Sequence, residues 1–444
     1  MRYKKSMYNV EIDHLDDGSI LLYNTYSGIF GVMDKKTQSM YNDIENLVIS
    51  AIEDPESKEN IEILIRYGYV VENDIDELAT YKFEREKARI RNGVLGLTIA
   101  PTMACNMRCP YCYENKTGKH MSKENQTKLV TFVKNHFISQ PDIKTLSVTW
   151  YGGEPLLQKE TIYNLSESFI AMCKEYGKQY SASIITNGAL LDKETGWKLF
   201  NECNVRYAQI TIDGMHELHN QRRIFADGTG SFELIIRNVD ECKAFLPISI
   251  RMNIDKTNSQ EVEKFFRFAT EEMKWAGNPA IYIAPVDSYT ESCAHTASTC
   301  LERAEFSEIK KQFQKMKYSV NRDLVKNGFF PHRILLHCGA EYPYNYVIDP
   351  DGYFYTCWMV IGEAAHRCGH IDHPFHITTE RYKWLSTQIP SKCESCEFLP
   401  MCAAGCGYFR VIKDGEPSCA GTYYSYKDTL RLAYQDYVLQ KNVK

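Results

Sequence analysis

The sequence has no apolar run that approaches the ~20 residues needed to span a bilayer. Its N-terminus, MRYKKSMYNVEID, has two lysines but no apolar stretch after them, so no secretory signal is expected. Neither sign of charge dominates, because 52 Lys and Arg stand against 57 Asp and Glu. Nothing therefore points to nucleic acid or a membrane surface as a partner. We expect a cytoplasmic protein.

Internal repeats and low-complexity segments are also lacking, and the 444 residues suit two to four domains. Cysteine, by contrast, is abundant, with 16 residues. Cytosolic thiols stay reduced, so clustered cysteines there are more often metal-binding or catalytic than disulfide-bonded. Three lie between Cys105 and Cys112, and seven lie between Cys338 and Cys419 in a regular array. The others are scattered, and most are interpreted as small buried apolar residues: Cys173, Cys203, Cys242, Cys293, Cys300 and Cys368.

From Gly93 onward, strand patterns alternate with helical ones such as Lys128–Phe137. Six such βα units predict an α/β fold, with a parallel sheet curled into a partial (β/α)6 TIM-like barrel. The carboxyl ends of such strands are where active sites are built. The predicted strands are Val94–Ala100, Thr145–Tyr151, Ala182–Thr186, Tyr207–Ile212, Ile248–Asn253 and Ala280–Ala284.

The first 75 residues read as a small α+β unit, with short strands at Ser19–Tyr23 and Gly28–Met33. Helical patterns follow at Thr37–Ile52 and near Asn60–Tyr67, and the charged stretch Lys82–Arg91 is interpreted as a bridge. The predicted domains are 1–90, a barrel at 93–290, a bridging segment at 291–337 and a cysteine-rich domain at 338–444.

Just after the first barrel strand comes Cys105-x3-Cys109-x2-Cys112, with Tyr111 before the last cysteine. Three thiolates on one loop hold three irons of a [4Fe–4S] cluster and leave the fourth iron open to a ligand. A structural zinc site, the alternative, would want a fourth Cys or His, and His120 fits that spacing poorly.

This loop resembles that of the radical S-adenosylmethionine (SAM) superfamily, and the resemblance covers residues 93–285. It implies that the open iron binds SAM, and that an electron cleaves SAM to a 5′-deoxyadenosyl radical that abstracts a hydrogen atom. It also implies SAM contacts at the strand ends, where Gly152-Gly153-Glu154-Pro155 would meet the methionine amino group. An ordinary turn is the alternative for each motif. The further expected SAM contacts are Tyr111, Asn187, Thr211, Asp213, Arg237 and Asn253, of which Arg237 could equally be a solvated side chain.

The second array reads Cys338-x13-Gly352-x4-Cys357, then Cys393-x2-Cys396-x5-Cys402-x3-Cys406 and Cys419. Its spacing is similar to that of the SPASM domain, which carries two auxiliary [4Fe–4S] clusters. The resemblance implies that Cys393, Cys396, Cys402 and Cys419 bind one cluster, and that Cys338, Cys357 and Cys406 give three ligands to the other. The total would be three [4Fe–4S] clusters, with zinc ribbons as the alternative. The fourth site of the Cys338 cluster is expected to be open, or to be filled by Cys293, Cys300 or His337.

Residues Leu21–Phe30 look like the strand region of winged-helix leader-recognition domains, which bind a precursor peptide by strand addition. A purely structural N-terminal domain is the alternative. Sulfatase maturases, the nearest competing family, commonly have aspartate after the second auxiliary cysteine, where this chain has Trp358. The favoured function is therefore a maturase that installs a crosslink, a Cys thioether, in a ribosomally synthesised precursor.

A carbon–carbon or ether crosslink would use the same machinery, and no general base is identified. Two other classes are weighed against the maturase: a metal-stabilised leader-binding chaperone without chemistry, and a radical SAM enzyme acting on a small molecule. The chaperone would not need the first cysteine loop, and the small-molecule enzyme would not need a leader-binding unit. The maturase would also need an electron donor such as a flavodoxin or ferredoxin.

Overall fold

The computed structural model describes residues 2–91, 93–275, 277–323, 330–374, 376–413, 415, 417–419 and 421–442. The predicted bridging segment 291–337 includes residues 324–329, which lie outside the described residues. No helix of the described residues is long and apolar enough to cross a membrane.

The strands, in chain order, are β1 Tyr3–Lys5, β2 Asn9–His14, β3 Ile20–Asn24, β4 Phe30–Met33, β5 Val70–Glu72, β6 Val94–Ile99, β7 Thr145–Trp150, β8 Gln179–Thr186, β9 Val205–Thr211, β10 Ile248–Ile254, β11 Ala280–Pro285, β12 Asn345–Ile348, β13 Tyr353–Tyr355 and β14 Gly369–His370. The helices are α1 Lys35–Asn42, α2 Pro55–Arg66, α3 Glu77–Ile90, α4 Lys123–Ser139, α5 Lys159–Glu175, α6 Lys193–Asn201, α7 His216–Arg222, α8 Phe232–Cys242, α9 Glu261–Arg267, α10 Arg303–Val320, α11 Thr379–Leu385, α12 Ser391–Glu394, α13 Leu399–Cys402 and α14 Tyr426–Asn442.

The chain forms two compact units. Unit 1 contains Met1–Arg91, Ser307–Cys338 and Thr387–Lys444, and unit 2 contains Asn92–Phe306 and Gly339–Ser386. The domain boundaries expected from the sequence stay predictions.

Unit 2 is built on a sheet in the order β11-β10-β9-β8-β7-β6-β12-β13-β14. Every strand from β6 to β11 pairs in parallel with its neighbour, and β12 adds to β6 in parallel before the chain turns back through β13 and β14. All six predicted barrel strands are present, so the predicted α/β class with a mostly parallel sheet is confirmed.

Alternation along these strands gives the sheet two different faces. In β7, Leu146, Val148 and Trp150 are buried, whereas the residues between them are less so. Helices cover the apolar face, with α5 packing on β8 and α6 on β9. The other face carries mostly short polar side chains, such as Ser147 and Thr149 on β7 and Ser181 and Ser183 on β8.

Unit 1 contains a three-stranded antiparallel sheet in the order β2-β3-β4, followed in the chain by α1, α2 and α3. The two strands predicted in this region are present as β3 and β4. Both faces of β3 are buried. Ile20 and Leu22 pack on the side of α1 and α2, and Leu21 and Tyr23 pack with a cluster that includes Phe398 and Cys402.

The single helix predicted over Thr37–Ile52 is wrong. The helix α1 ends at Asn42, and Asp43 caps its C-terminus. The Asn46 side chain donates to the Asp43 carboxylate at 2.8 Å. Asn and Asp side chains form local hydrogen bonds that compete with the helix, so the apolar spacing that continues to Ile52 did not extend it.

The charged stretch Lys82–Arg91 forms the greater part of α3 and ends one residue beyond it. Arg85 is 2% exposed, and Lys82 pairs with Glu394 at 2.5 Å. Tyr81, just before the stretch, donates from its hydroxyl to the carbonyl of Ile334 at 3.0 Å. This helix therefore packs within unit 1.

Candidate active site

The first three-cysteine loop follows β6 at the carboxyl end of the parallel strands. The Thr102 hydroxyl donates to the Lys119 carbonyl at 2.8 Å and accepts from the Ala104 N–H at 2.9 Å. On the other side, the Arg108 N–H donates to the Ile224 carbonyl at 2.9 Å. The loop is thus held from both sides.

The thiols of Cys105, Cys109 and Cys112 are free and partly exposed. Burial raises the pKa of Cys105 to about 11 and that of Cys112 to about 12. These thiols ionise only with a strong cation beside them, as metal ligation provides. Three free thiols on one short anchored loop fit the donor set of a [4Fe–4S] cluster. Among the described residues, no three His, Cys, Asp or Glu side chains lie close enough to hold a single metal ion.

Gly152 and Gly153 lie directly against this loop. A Cβ at Gly152 would collide with the Thr102 carbonyl oxygen, and one at Gly153 with the Ala104 carbonyl oxygen. The Glu154 N–H donates to the Ala104 carbonyl at 2.8 Å. The two glycines therefore permit the close backbone approach that brings the end of β7 to the cysteine loop.

The Glu154 side chain is fully buried and joins two strand ends. Its carboxylate accepts from the Thr186 hydroxyl at 2.7 Å, the Asn187 N–H at 2.8 Å and the Leu156 N–H at 3.0 Å. Burial raises its pKa, while these hydrogen bonds act in the opposite direction. Since a carboxylate accepts about four hydrogen bonds, one position remains for an ammonium. Glu154 therefore also holds the ends of β7 and β8 together, a role that the sequence did not indicate.

A second polar group joins Tyr111, Asp213 and Arg223. The Tyr111 hydroxyl donates to the Asp213 carboxylate and accepts from the Arg223 guanidinium, the latter at 2.8 Å. Asp213 also accepts from the Asn253 N–H at 2.9 Å. Burial opposes the charge on Arg223, but Cys109, Tyr111 and Asp213 together raise its pKa well above the usual value. Arg223 is therefore a permanent cation beside the cysteine loop.

Arg222 and His219 support this group. Arg222 pairs with Asp255 at 2.8 Å. His219 accepts the Asp213 N–H on Nδ1 at 3.3 Å, so its Nε2 carries the proton and donates to the Ser231 hydroxyl at 3.0 Å. Burial and the nearby Arg223 lower the pKa of His219 well below its usual value. The imidazole is thus a neutral structural link.

The structure brings most of the expected SAM contacts to one end of the sheet, but Arg237 is not among them. It lies on the exposed face of α8, and no polar contact joins it to the other expected contacts. Asn187 donates to the Asn106 side chain at 2.7 Å, Thr211 ends β9, and Pro155 follows Glu154. Arg222 and Arg223 were not predicted from the sequence, although this Arg-Arg pair follows the Thr211-Ile212-Asp213-Gly214 strand end by eight residues.

Aromatic side chains and one carboxyl group lie beyond Cys112 in the chain. The hydroxyls of Tyr113 and Tyr151 are hydrogen-bonded to each other. Trp358 stacks on Tyr151 with ring centroids 5.8 Å apart and is 42% exposed. Burial raises the pKa of Glu114, which also contacts Tyr151, to about 7. No acid or base was predicted from the sequence, and no sequence motif marks Glu114.

Four of the C-terminal cysteines lie together in unit 1. Burial raises the pKa of Cys402 to about 12, and Cys396, Cys393 and Cys419 are close enough to add to that effect. Burial also raises the pKa of Cys393 and Cys396. This proximity fits the four-thiolate set expected for one auxiliary cluster.

An unusual backbone segment follows Cys402. Ala403, Ala404 and Gly405 have φ angles of 49°, 64° and 74°. Left-handed backbone is strained for alanine. A Cβ on Gly405 would collide with the Ser418 carbonyl oxygen. The tight turn thus brings the Cys402 loop against the residue before Cys419.

The other three cysteines are shared between the units, with Cys338 and Cys406 in unit 1 and Cys357 in unit 2. Their common cluster stays a prediction, as does its fourth ligand. The His337 Nδ1 lies 3.2 Å from the Cys402 carbonyl. Cys293 is fully buried, and the Cys300 thiol donates to the Thr296 carbonyl at 3.3 Å.

Residues 99–269 match the model of the radical SAM superfamily, so the chain contains a radical SAM domain. The chain is homologous to anaerobic sulfatase-maturating enzymes. It is 23% identical to a serine-type enzyme of Klebsiella aerogenes over 350 residues, which cover 74% of this chain and 83% of that one. A radical SAM domain implies one [4Fe–4S] cluster and SAM.

Solved structures share the fold. The structure of anSMEcpe with bound AdoMet aligns with a TM-score of 0.59 at 19% identity, over 79% of this chain and 100% of that one. Streptococcus suis SuiB bound to the precursor peptide SuiA aligns with a TM-score of 0.54 at 16% identity, over 94% of this chain and 98% of that one.

Proposed function

We propose that this protein is a radical SAM peptide maturase that installs a crosslink, a Cys thioether, in a ribosomally synthesised precursor. SAM bound at a [4Fe–4S] cluster would supply a 5′-deoxyadenosyl radical that removes a hydrogen atom from an unactivated carbon of the precursor. A cysteine sulfur of the precursor would then bond to that carbon, and an auxiliary cluster would accept the surplus electron.

One observation carries the SAM chemistry: the three-cysteine loop, the Glu154 carboxylate and the Arg223 guanidinium lie at the same end of one parallel sheet. Cys105, Cys109 and Cys112 would hold the cluster. The remaining acceptor position of Glu154 suits the SAM ammonium, and Arg223 suits the SAM carboxylate. Asp213 and Asn187 hold the surrounding loops in place.

Two auxiliary clusters form the second part of the proposal. One would be held by Cys393, Cys396, Cys402 and Cys419, whose mutual proximity supports the proposal. The other would draw on Cys338, Cys357 and Cys406. If the fourth iron of that second cluster has no protein ligand, it would bind the substrate thiolate. Substrate-bound spectra that show no change at the auxiliary clusters would argue against that step.

The edge strand β4 in unit 1 supports the proposed peptide substrate. Among the described residues, β4 pairs only with β3. The Asn24 N–H donates to the Ile29 carbonyl, so these two residues form a hydrogen-bonded pair. Gly31, two residues after Ile29, is opposite Leu22 in the register of β3 and β4. Antiparallel hydrogen bonding alternates, so the N–H groups of Phe30 and Val32 point away from β3. A leader strand would add at this edge, as in other β-augmentation. The alignment over most of the chain with SuiB, which binds a precursor peptide, is consistent with that.

Sulfatase maturation is the second candidate, because the chain is homologous to those enzymes. Trp358 stands where an acidic residue is expected in that family, and its ring stacks on Tyr151. An indole neither accepts nor carries a substrate proton at neutral pH. The same machinery would also form a carbon–carbon or ether crosslink, and the mass and connectivity of the product distinguish these from a thioether.

The test is anaerobic reconstitution, followed by iron and sulfide analysis and by measurement of 5′-deoxyadenosine after addition of SAM and dithionite. We expect about twelve irons per chain and 5′-deoxyadenosine formation. The triple variant Cys105→Ala, Cys109→Ala, Cys112→Ala should keep about eight irons and form none. A Cys173→Ala variant, which changes a buried scattered cysteine, is the matched control. Zinc in place of iron, or three clusters without SAM cleavage, would overturn the proposal in favour of a metal-stabilised binding protein.

A further inference from the structure

On the polar face of the parallel sheet in unit 2, Arg251 is a cation that forms no ion pair with a carboxylate among the described residues. Short polar side chains line this face along β7, β8 and β9, including Thr149 and Ser183, whose hydroxyls are 3.1 Å apart. Arg251 on β10 is the exception, since it places a long charged side chain there. In the sheet register its neighbours are Thr211 on β9 and Tyr282 on β11.

Aromatic groups surround the Arg251 guanidinium. Tyr282, Tyr113 and Tyr289 are all close enough to influence its charge. Its Nε donates to the Asn253 side chain at 2.7 Å. The Tyr282 hydroxyl donates to Gln209 at 2.5 Å, which leaves that oxygen free to accept from Arg251. All these partners are neutral.

Two other arginines of unit 2 have carboxylate partners. Arg222 pairs with Asp255, and Arg303 pairs with Asp287 at 3.0 Å. Asp287 also accepts from the Tyr289 hydroxyl at 2.9 Å, so it is already engaged. Among the described residues, no ion pair joins Arg251 to a carboxylate. Arg251 is only partly exposed, and a guanidinium partly withdrawn from water without a counter-ion favours an anionic ligand.

We propose that Arg251 is a specificity residue that binds a side-chain carboxylate, of Asp or Glu, in the peptide substrate. This inference rests on the proposed peptide maturase function. The SAM carboxylate is assigned elsewhere, because Arg223 contacts Tyr111 and lies beside Cys109. Arg251 instead lies on the polar face of the sheet, beside Tyr282 on β11 and hydrogen-bonded to Asn253. The fork of a guanidinium matches a carboxylate with two parallel hydrogen bonds.

The test uses the reconstituted holoenzyme with SAM and, as probe, an mRNA-displayed library of random dodecapeptides. The wild type should enrich Asp or Glu at one position by about tenfold or more, the size expected for a charge-assisted bidentate contact. Arg251→Gln should abolish this preference, and Arg251→Glu should replace it with Lys or Arg. Arg206→Glu, at an exposed arginine on β9, is the matched control and should leave the preference unchanged.

Two measurements made in parallel separate the alternatives. SAM affinity is measured for the wild type and for Arg251→Gln, and 5′-deoxyadenosine is measured without peptide. Normal SAM cleavage with no acidic preference in the wild type would overturn the role of Arg251 alone. Loss of SAM affinity in Arg251→Gln with an unchanged peptide preference would assign Arg251 to SAM and also overturn it. Absence of SAM cleavage from the wild type would instead defeat the proposed function.

Discussion

The hydroxyl of Thr186 lies 2.7 Å from the carboxylate of Glu154. Both groups are buried, and they belong to neighbouring strand ends, so one hydrogen bond joins the loop after β7 to the end of β8. Together with the Asn187 N–H, it fixes the carboxylate next to the three-cysteine loop.

Changing Glu154 to Gln should weaken this junction. The amide has one acceptor oxygen, so it leaves at least one of the three donors unsatisfied, at a cost of about 1–3 kcal/mol of unfolding free energy. We also expect weaker SAM binding. Thermal unfolding of the reconstituted protein and equilibrium binding of SAM measure the two effects. The control is Glu167→Gln at an exposed position of α5; equal stability of the two variants would contradict the junction.

Gly405→Ala should disrupt the C-terminal cysteine group. The added Cβ meets the Ser418 carbonyl oxygen, and the φ of 74° already disfavours alanine. Gly415→Ala is the matched control, because Gly415 has a φ of 71° but open space around its Cβ position. The control should cost about 1 kcal/mol. Gly405→Ala should cost more and should lower the iron content by about four per chain. Full iron content in Gly405→Ala would show that the Ser418 contact is not needed.

Val32→Pro should impair leader binding without unfolding the sheet. Proline removes the N–H that points away from β3, and edge strands tolerate proline at such positions. We expect about tenfold weaker binding of a fluorescein-labelled leader peptide that binds the wild type. Val32→Ala keeps the N–H and should bind like the wild type. If proline leaves binding unchanged while the protein remains folded, the leader does not add to β4.

His219 should make stability depend on pH. Its pKa is lowered in the folded protein by burial first and by the nearby arginines second, so the unfolded chain takes up a proton that the folded chain does not. Its contribution is therefore fully present above the unfolded pKa of about 6.5 and is lost as pH falls below it, by at most about 1.4 kcal/mol per pH unit. Denaturant unfolding at pH 7.5 and 5.5 should show a smaller pH effect in His219→Gln. The exposed His14→Gln should behave like the wild type.

The sequence predicted the parallel sheet well, because buried strands such as Ile248–Ile254 carry the strongest patterns. The ends of those strands were also predicted, since glycine motifs mark them. The buried Arg222 and Arg223 were not predicted: charged residues are rarely buried, and only their partners, contributed by distant strands, reveal why they are. Glu114 was missed for the same reason. The break after Asn42 was missed because local Asn and Asp hydrogen bonds outweighed a continuing apolar pattern.

Strand β3 is buried on both faces, with Leu22 in the core of α1 and α2 and Tyr23 in the core that contains Cys402. The segment proposed to recognise the leader is therefore also part of the scaffold around the cysteines proposed to hold an auxiliary cluster. Removing residues 1–90 would strip Tyr23 and Tyr81 from their neighbours in the C-terminal region. A shortened enzyme would lose iron as well as leader affinity. Leader recognition is therefore better tested by single substitutions along β4 than by removal of residues 1–90.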